Sequence, residues 1–223
     1  MKKNLLFNAI AKFAAGFFLI SALLFIPAGT LSYQNAWLLM GLLFIPMLAV
    51  GAILYVKAPG LLEKRLNNAE NEKEQRAVIA LSALMFVIGF IIAGLDFRFS
   101  LSRVPDWLVF AASLALLAGY GLFCQVMRQN AFLSRTVEIQ ENQTVVDTGL
   151  YAVVRHPMYM ATIIIYWAMP FILGSLYAFI VFLPYPLILA KRVKNEEEVL
   201  ERGLAGYGEY KNRVKYRIIP FIW

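Results

Sequence analysis

Charge is what this chain has least of. Only 16% of its 223 residues are Asp, Glu, Lys or Arg, while 61% are hydrophobic; a soluble domain carries about 25% charged residues. That shortage excludes a water-soluble globule and points to an integral membrane protein. Cysteine is nearly missing as well. Cys124 alone allows neither an intrachain disulfide nor a thiolate metal cluster, and inside an apolar run it reads as an inert buried thiol. One histidine, His156, leaves a zinc site almost without ligands. The alternating segments of a membrane β-barrel are absent, as are internal repeats and low-complexity tracts. Phe221-Ile222-Trp223 is not a prenylation signal.

What is present is a series of apolar runs at about 7–27, 36–56, 78–95, 107–127, 158–173 and 175–190. Most approach the roughly 20 residues needed to span a bilayer core. Backbone groups in lipid must pair internally, so the runs are helices. Lys2 and Lys3 before the first run imitate a signal peptide, but the run is long and more follow, so it reads as an uncleaved first helix. The expected fold is an all-α integral membrane protein of five to six transmembrane helices, in one bundle without a separate soluble domain. The last two runs are shorter, with about 16 residues each around a turn at Gly174-Ser175. Each arm reaches roughly 24 Å, so they form a short or tilted helical hairpin whose ends return to one side.

The net charge of +7 lies in short loops beside the apolar runs, where it sets orientation rather than binding nucleic acid. With both termini in the cytoplasm, all basic residues except Arg98 and Arg103 fall on the cytosolic side. Residues 59–77, with Leu61, Leu62 and Leu66 among charges, read as a helix in the interface; 193–217 read as a second such segment, broken near Gly203, Gly206 and Gly208.

The chemistry-bearing residues gather at the mouths of the hairpin. A polar loop of nearly thirty residues runs from Arg128 to Arg155, long enough to imply binding. Within it Val145-Val146, Asp147-Thr148-Gly149 and Tyr151 suit an extended run ending in a turn. His156-Pro157 then opens a helix, whose free amides favour a carboxylate, and Arg155 offers that group a bidentate contact. At the other mouth Arg192 and Glu196 stand one turn apart and can pair, with Glu197 beside them. A ligand bearing a carboxylate, an ammonium and a third positive centre fits such a bipolar pocket. S-adenosylmethionine is one, and a zwitterionic phospholipid head group fits almost as well. Each feature also has a plainer reading: interfacial anchor, helix cap or solvated face.

Tyr151-Ala-Val-Val-Arg155-His156-Pro157-Met158-Tyr159, then Arg192-x-x-x-Glu196-Glu197-x-x-Leu200, then Tyr207-x-x-Tyr210-x-x-x-Val214, resemble the isoprenylcysteine carboxyl methyltransferase family, a relative of the membrane phospholipid methyltransferases. The likeness is specific over about 130–220. Asn130-Ala-Phe132 and Pro59-Gly-Leu-Leu-Glu63 are lesser features, and Leu150 stands where relatives often have proline. The resemblance implies N-terminal helices over 1–127, a catalytic region over 128–223, and a pocket for S-adenosylmethionine open to the cytosol. Val137, Gln143, Thr144, Val145, Val146, Tyr151, His156, Pro157, Met158 and Tyr159 would enclose the cofactor. Glu196 would face its amino group, and Arg192 would hold the acceptor carboxylate of an isoprenylcysteine-like lipidic substrate. Transfer to a carboxylate needs little acid–base help. Were the acceptor an amine, as in phosphatidylethanolamine N-methylation, Glu197 is the nearest base. A non-catalytic membrane protein that keeps the hairpin for assembly, and a sterol-reductase-like protein, are the other readings.

Overall fold

The computed structural model describes residues 2–66, 73–134 and 139–223. Among the described residues the regular structure is nine α-helices and one 3-10 turn, with no strand. The chain runs through α1 (Lys2–Ala28), α2 (Gln34–Lys57), the short α3 (Pro59–Leu66), α4 (Lys73–Phe99) and α5 (Asp106–Gln129). It continues through the 3-10 turn Gly149–Ala152 into α6 (Pro157–Ile172), α7 (Leu176–Phe182), α8 (Tyr185–Gly203) and α9 (Tyr207–Arg213). Five runs are long and apolar enough to cross a bilayer: Asn4–Ala28, Gln34–Lys57, Gln75–Phe99, Asp106–Gln129 and Leu176–Gly203. Their outward faces are oily, with Phe7, Ile26, Val56 and Leu187 all exposed. The molecule is an integral membrane protein.

Close packing rests on small residues. At Gly94 an added Cβ would lie 2.6 Å from the Leu24 carbonyl oxygen, so α1 and α4 touch backbone to backbone, as small residues permit between membrane helices. Gly119 does the same for α5 against Ile165 and Ala161 of α6. The interior then fills with Leu39, Leu116, Ile172, Phe182 and Val193, all wholly buried.

The two ends of the bundle differ. At one end Tyr33 Oη donates to the Leu173 carbonyl at 2.5 Å, and its ring stacks on Phe97. Nearby, buried Asp96 accepts from the Ser102 amide (2.7 Å) and from the hydroxyls of Ser102 (2.6 Å) and Ser175 (2.5 Å). Ser175 also caps α7 through the Ala178 amide, and Gly174 supplies the left-handed turn before it with φ 77°. The polar groups of a helix-to-helix turn are thereby satisfied away from water. The other end collects α3, the loop after α5, and the first turn of α6. Lys12 reaches the Leu66 carbonyl, Lys64 reaches Gln140, and Arg65 lies over Phe123.

Two expectations change. Of the 59–77 segment, α3 covers Pro59–Leu66 and α4 begins at Lys73, while 67–72 lie outside the described residues. More consequentially, the second arm after Gly174 does not stop near 190. α7 breaks at Leu183-Pro184, because Pro184 has no amide to give, and α8 then runs on to Gly203. Lys191 to Arg202 holds no proline or glycine and is rich in strong helix formers. Arg192, Glu196 and Glu197 are therefore stations along one helix, not residues of a separate surface segment.

Candidate functional site

The site begins where α6 starts. Pro157 occupies the first helical position, which fixes the chain direction there, and His156 precedes it as the cap. Two residues on, Tyr159 is 4% exposed and points across to α8. Its Oη donates to Glu196 Oε2 at 2.6 Å and accepts from Arg192 Nε at 2.8 Å. Arg192 and Glu196 share a helix face, and the phenol of Tyr159 is inserted as a bridge between their charges. The His156 ring stacks on Tyr159 at a centroid distance of 5.6 Å.

Behind this bridge lies a buried charge cluster. Glu197 Oε1 accepts from Arg155 Nε (2.7 Å) and faces His156 Nε2 (3.2 Å), while Oε2 accepts from Arg217 Nε (3.0 Å). Arg155 Nη1 also donates to the carbonyls of Val214 (2.6 Å) and Lys215 (2.9 Å). The backbone joins in: the Arg155 amide donates to the Tyr216 carbonyl at 2.9 Å and the His156 amide to that of Arg217 at 2.8 Å. Glu197 and Arg155 are 3% and 6% exposed. A carboxylate so buried persists because cations and donors compensate its lost hydration.

In front lies a cleft that is open to solvent at its mouth. The loop after α5 makes one wall, with Phe132, Leu133, Gln143, Thr144, Val145 and Val146. The 3-10 turn and the start of α6 add Tyr151, Arg155, His156, Met158 and Tyr159; α8 and α9 add Arg192, Glu196, Leu200, Tyr207 and Tyr210. Asn130 Nδ2 holds Tyr151 Oη at 2.9 Å, and Tyr210 Oη holds the Tyr151 carbonyl at 2.8 Å. Burial pushes the Tyr151 phenol up to about 12, so it stays neutral. Gly149, at φ 60°, brings the turn against Gln129, whose Oε1 accepts from the Leu150 amide at 3.0 Å. A Cβ on Gly149 would meet that side chain at 2.3 Å. Among the described residues no group of His, Cys, Asp and Glu is arranged to hold a metal.

Most of the residues expected from sequence meet here. Gln143, Thr144, Val145, Val146, Tyr151, Arg155, His156, Met158, Tyr159, Arg192 and Glu196 all line the cleft. Pro157 sets the helix start but is not in the wall, Glu197 lies behind it, and Val137 lies outside the described residues. Just before that helix start, the amides of Arg155 and His156 bond the C-terminal segment. Two nitrogens of the Arg155 guanidinium are likewise committed inside the protein. Val145-Val146 forms no strand. Sequence reasoning missed Tyr207 as a wall residue, although its place after the left-handed Gly206 and one turn before Tyr210 was a usable signal.

Residues 107–202 match the model of the isoprenylcysteine carboxyl methyltransferase family. That stretch, less than half of the chain, is similar to this family. The matched stretch holds every expected site residue, from Val137 to Glu197. A solved structure of the eukaryotic intramembrane Ras methyltransferase, isoprenylcysteine carboxyl methyltransferase, superposes with a TM-score of 0.56 at 20% identity, covering 96% of this chain and 77% of that one. The likeness is one of fold, and it takes in the N-terminal helices. A Delta(14)-sterol reductase of Mus musculus, TM7SF2, is 29% identical over 91 residues. These are 40% of this chain, which spans about a fifth (22%) of that relative's length.

Proposed function

We propose that the protein is a membrane methyltransferase that uses S-adenosylmethionine, with an acidic lipidic acceptor, an isoprenylcysteine-like carboxylate, as substrate. The observation that carries this is the Tyr159 bridge, which ties a cationic station, Arg192, to an anionic one, Glu196, in the wall of a single cleft. Methyl transfer between two ligands needs such a pair of stations: one for the donor's ammonium, one for the acceptor's carboxylate. The wall also supplies a carboxylate, aromatic faces and the buried, unpartnered hydroxyl of Tyr207, a donor set that suits an adenosyl amino acid.

S-adenosylmethionine supplies a methyl group activated on a sulfonium. The chain's own residues align and shield. Glu196 takes the ammonium, and the loop residues 143–146 with Tyr151, His156, Met158 and Tyr159 enclose the rest. Arg192 holds the acceptor carboxylate at the reacting distance, a contribution of orientation and water exclusion. No proton leaves a carboxylate acceptor, so no base is needed. Glu197 fits a positioning role: its oxygens face Arg155, His156 and Arg217, away from the wall where an amine acceptor would need a base. The basic loops support a cytosolic cleft and cytosolic termini.

The test is calorimetric titration of the detergent-solubilised protein with S-adenosylmethionine, then label transfer from its methyl group into a lipid and protein extract. The wild type binds, and Glu196→Gln weakens binding about tenfold or more, roughly 1.4 kcal/mol. No binding, or binding of a nicotinamide nucleotide in its place, overturns the reading and favours reductase-like chemistry.

A further inference from the structure

Tyr207 carries a polar atom that the fold leaves without use. The residue is 4% exposed, its Oη is buried, and among the described residues that oxygen has no hydrogen-bond partner. Gln75 Oε1 and Asn195 Nδ2 share this condition, but of the three residues only Tyr207 lines the cleft. The ring is held firmly. Leu204, Tyr210 and Val214 pack around it with Val145 and Leu200 beyond, and the Tyr210 ring lies 5.8 Å away. Burial together with the neighbouring carboxylates of Glu197 and Glu196 pushes its phenol up, so it remains a protonated donor at any working pH. A fixed buried donor without an acceptor costs the folded protein the hydration it lost, and a ligand that brings an acceptor recovers it.

The acceptor it suits follows from its neighbours. If Glu196 faces the ammonium of an amino-acid-bearing ligand, the carboxylate on the same carbon lies within one or two bonds of that contact. Arg155 was the obvious partner for it, yet two of its three nitrogens are committed to Glu197, Val214 and Lys215. We propose that Tyr207 is a further binding residue of the cleft, its hydroxyl donating a hydrogen bond to the α-carboxylate of the methyl donor's amino-acid end. The proposal rests on the S-adenosylmethionine reading above.

The experiment compares S-adenosylmethionine with its decarboxylated analogue, which keeps ammonium and sulfonium, by calorimetry on wild type and Tyr207→Phe in detergent. Tyr207→Phe weakens S-adenosylmethionine about tenfold or more, the loss expected for a hydrogen bond to a charged group, and leaves the analogue within about twofold. Its unfolding temperature without ligand is unchanged or higher, because the change removes an unsatisfied buried donor; a residue with only a packing role would show the reverse. Equal losses with both ligands, no loss with either, or a lowered unfolding temperature overturns the assignment while the cofactor reading stands. The wild type alone gives a second check: binding the analogue as tightly as S-adenosylmethionine also overturns it. Wild type that binds neither compound brings down the cofactor reading, and this assignment with it.

Discussion

At the scale of single residues, the protein separates cations that look alike in sequence. Arg155 and Arg192 each stand beside an acidic or imidazole partner, and both invite a role in ligand binding. Arg192 lines the cleft and meets the Tyr159 hydroxyl, whereas Arg155 binds inward to Glu197 and two backbone carbonyls. Nothing local in the sequence could distinguish them. The partners of Arg155 lie 42, 59 and 60 residues away, and two are carbonyl oxygens, which every residue possesses. The energetic roles should differ accordingly. Glu197→Leu strands Arg155 and should cost roughly 3–5 kcal/mol of stability, and Arg155→Met a similar amount, as for any broken buried pair. The double variant should recover a good part of the sum, a coupling above about 1 kcal/mol. Thermal unfolding of the four proteins in one detergent checks this, and additive losses would show that the pair does not act as a unit. Arg192→Ala, by contrast, should leave the unfolding temperature nearly unchanged and abolish methyl transfer while cofactor binding persists.

At the scale of elements, the apolar runs were legible because lipid leaves a backbone no alternative to the helix. Each expected long run lies inside an observed helix: 7–27 in α1, 36–56 in α2, 78–95 in α4 and 107–127 in α5. The failure at α8 is instructive. A drop in hydropathy near Lys191 looks like the end of an arm, yet helix propensity carries the backbone on to Gly203, and propensity rather than polarity decides where a helix stops. The close approach of α1 to α4 was invisible for another reason, since a glycine in an apolar run does not reveal which neighbour it admits. Gly94→Ala should force the Leu24 backbone away and lower stability by about 1–3 kcal/mol. Because Gly94 is far along the helix from the cleft end, S-adenosylmethionine affinity should be unaffected. Loss of affinity without loss of stability would mean that the α1–α4 packing reaches the site.

At the scale of the whole molecule, the polar groups are divided between two ends, with different tasks. The end holding Asp96, Ser102, Ser175 and Tyr33 is self-contained: the carboxylate of Asp96 meets donors from the turn after α4 and from the cap of α7. The other end draws together segments from nearly the full length of the chain, from Lys12 through α3 and the loop after α5 to Arg217. Among the described residues it is also where the basic residues concentrate, with Arg98 and Arg103 falling elsewhere. The working face proposed above is thus the end where the basic residues gather. The consequence can be tested in cells. In a Cys124→Ala background, Leu101→Cys places an exposed thiol at the Asp96 end, and Glu141→Cys places one in the cleft loop. A membrane-impermeant maleimide added to intact cells should label Leu101→Cys readily and Glu141→Cys only after permeabilisation. The opposite pattern would turn the cleft outward, where S-adenosylmethionine made inside the cell could not reach Glu196.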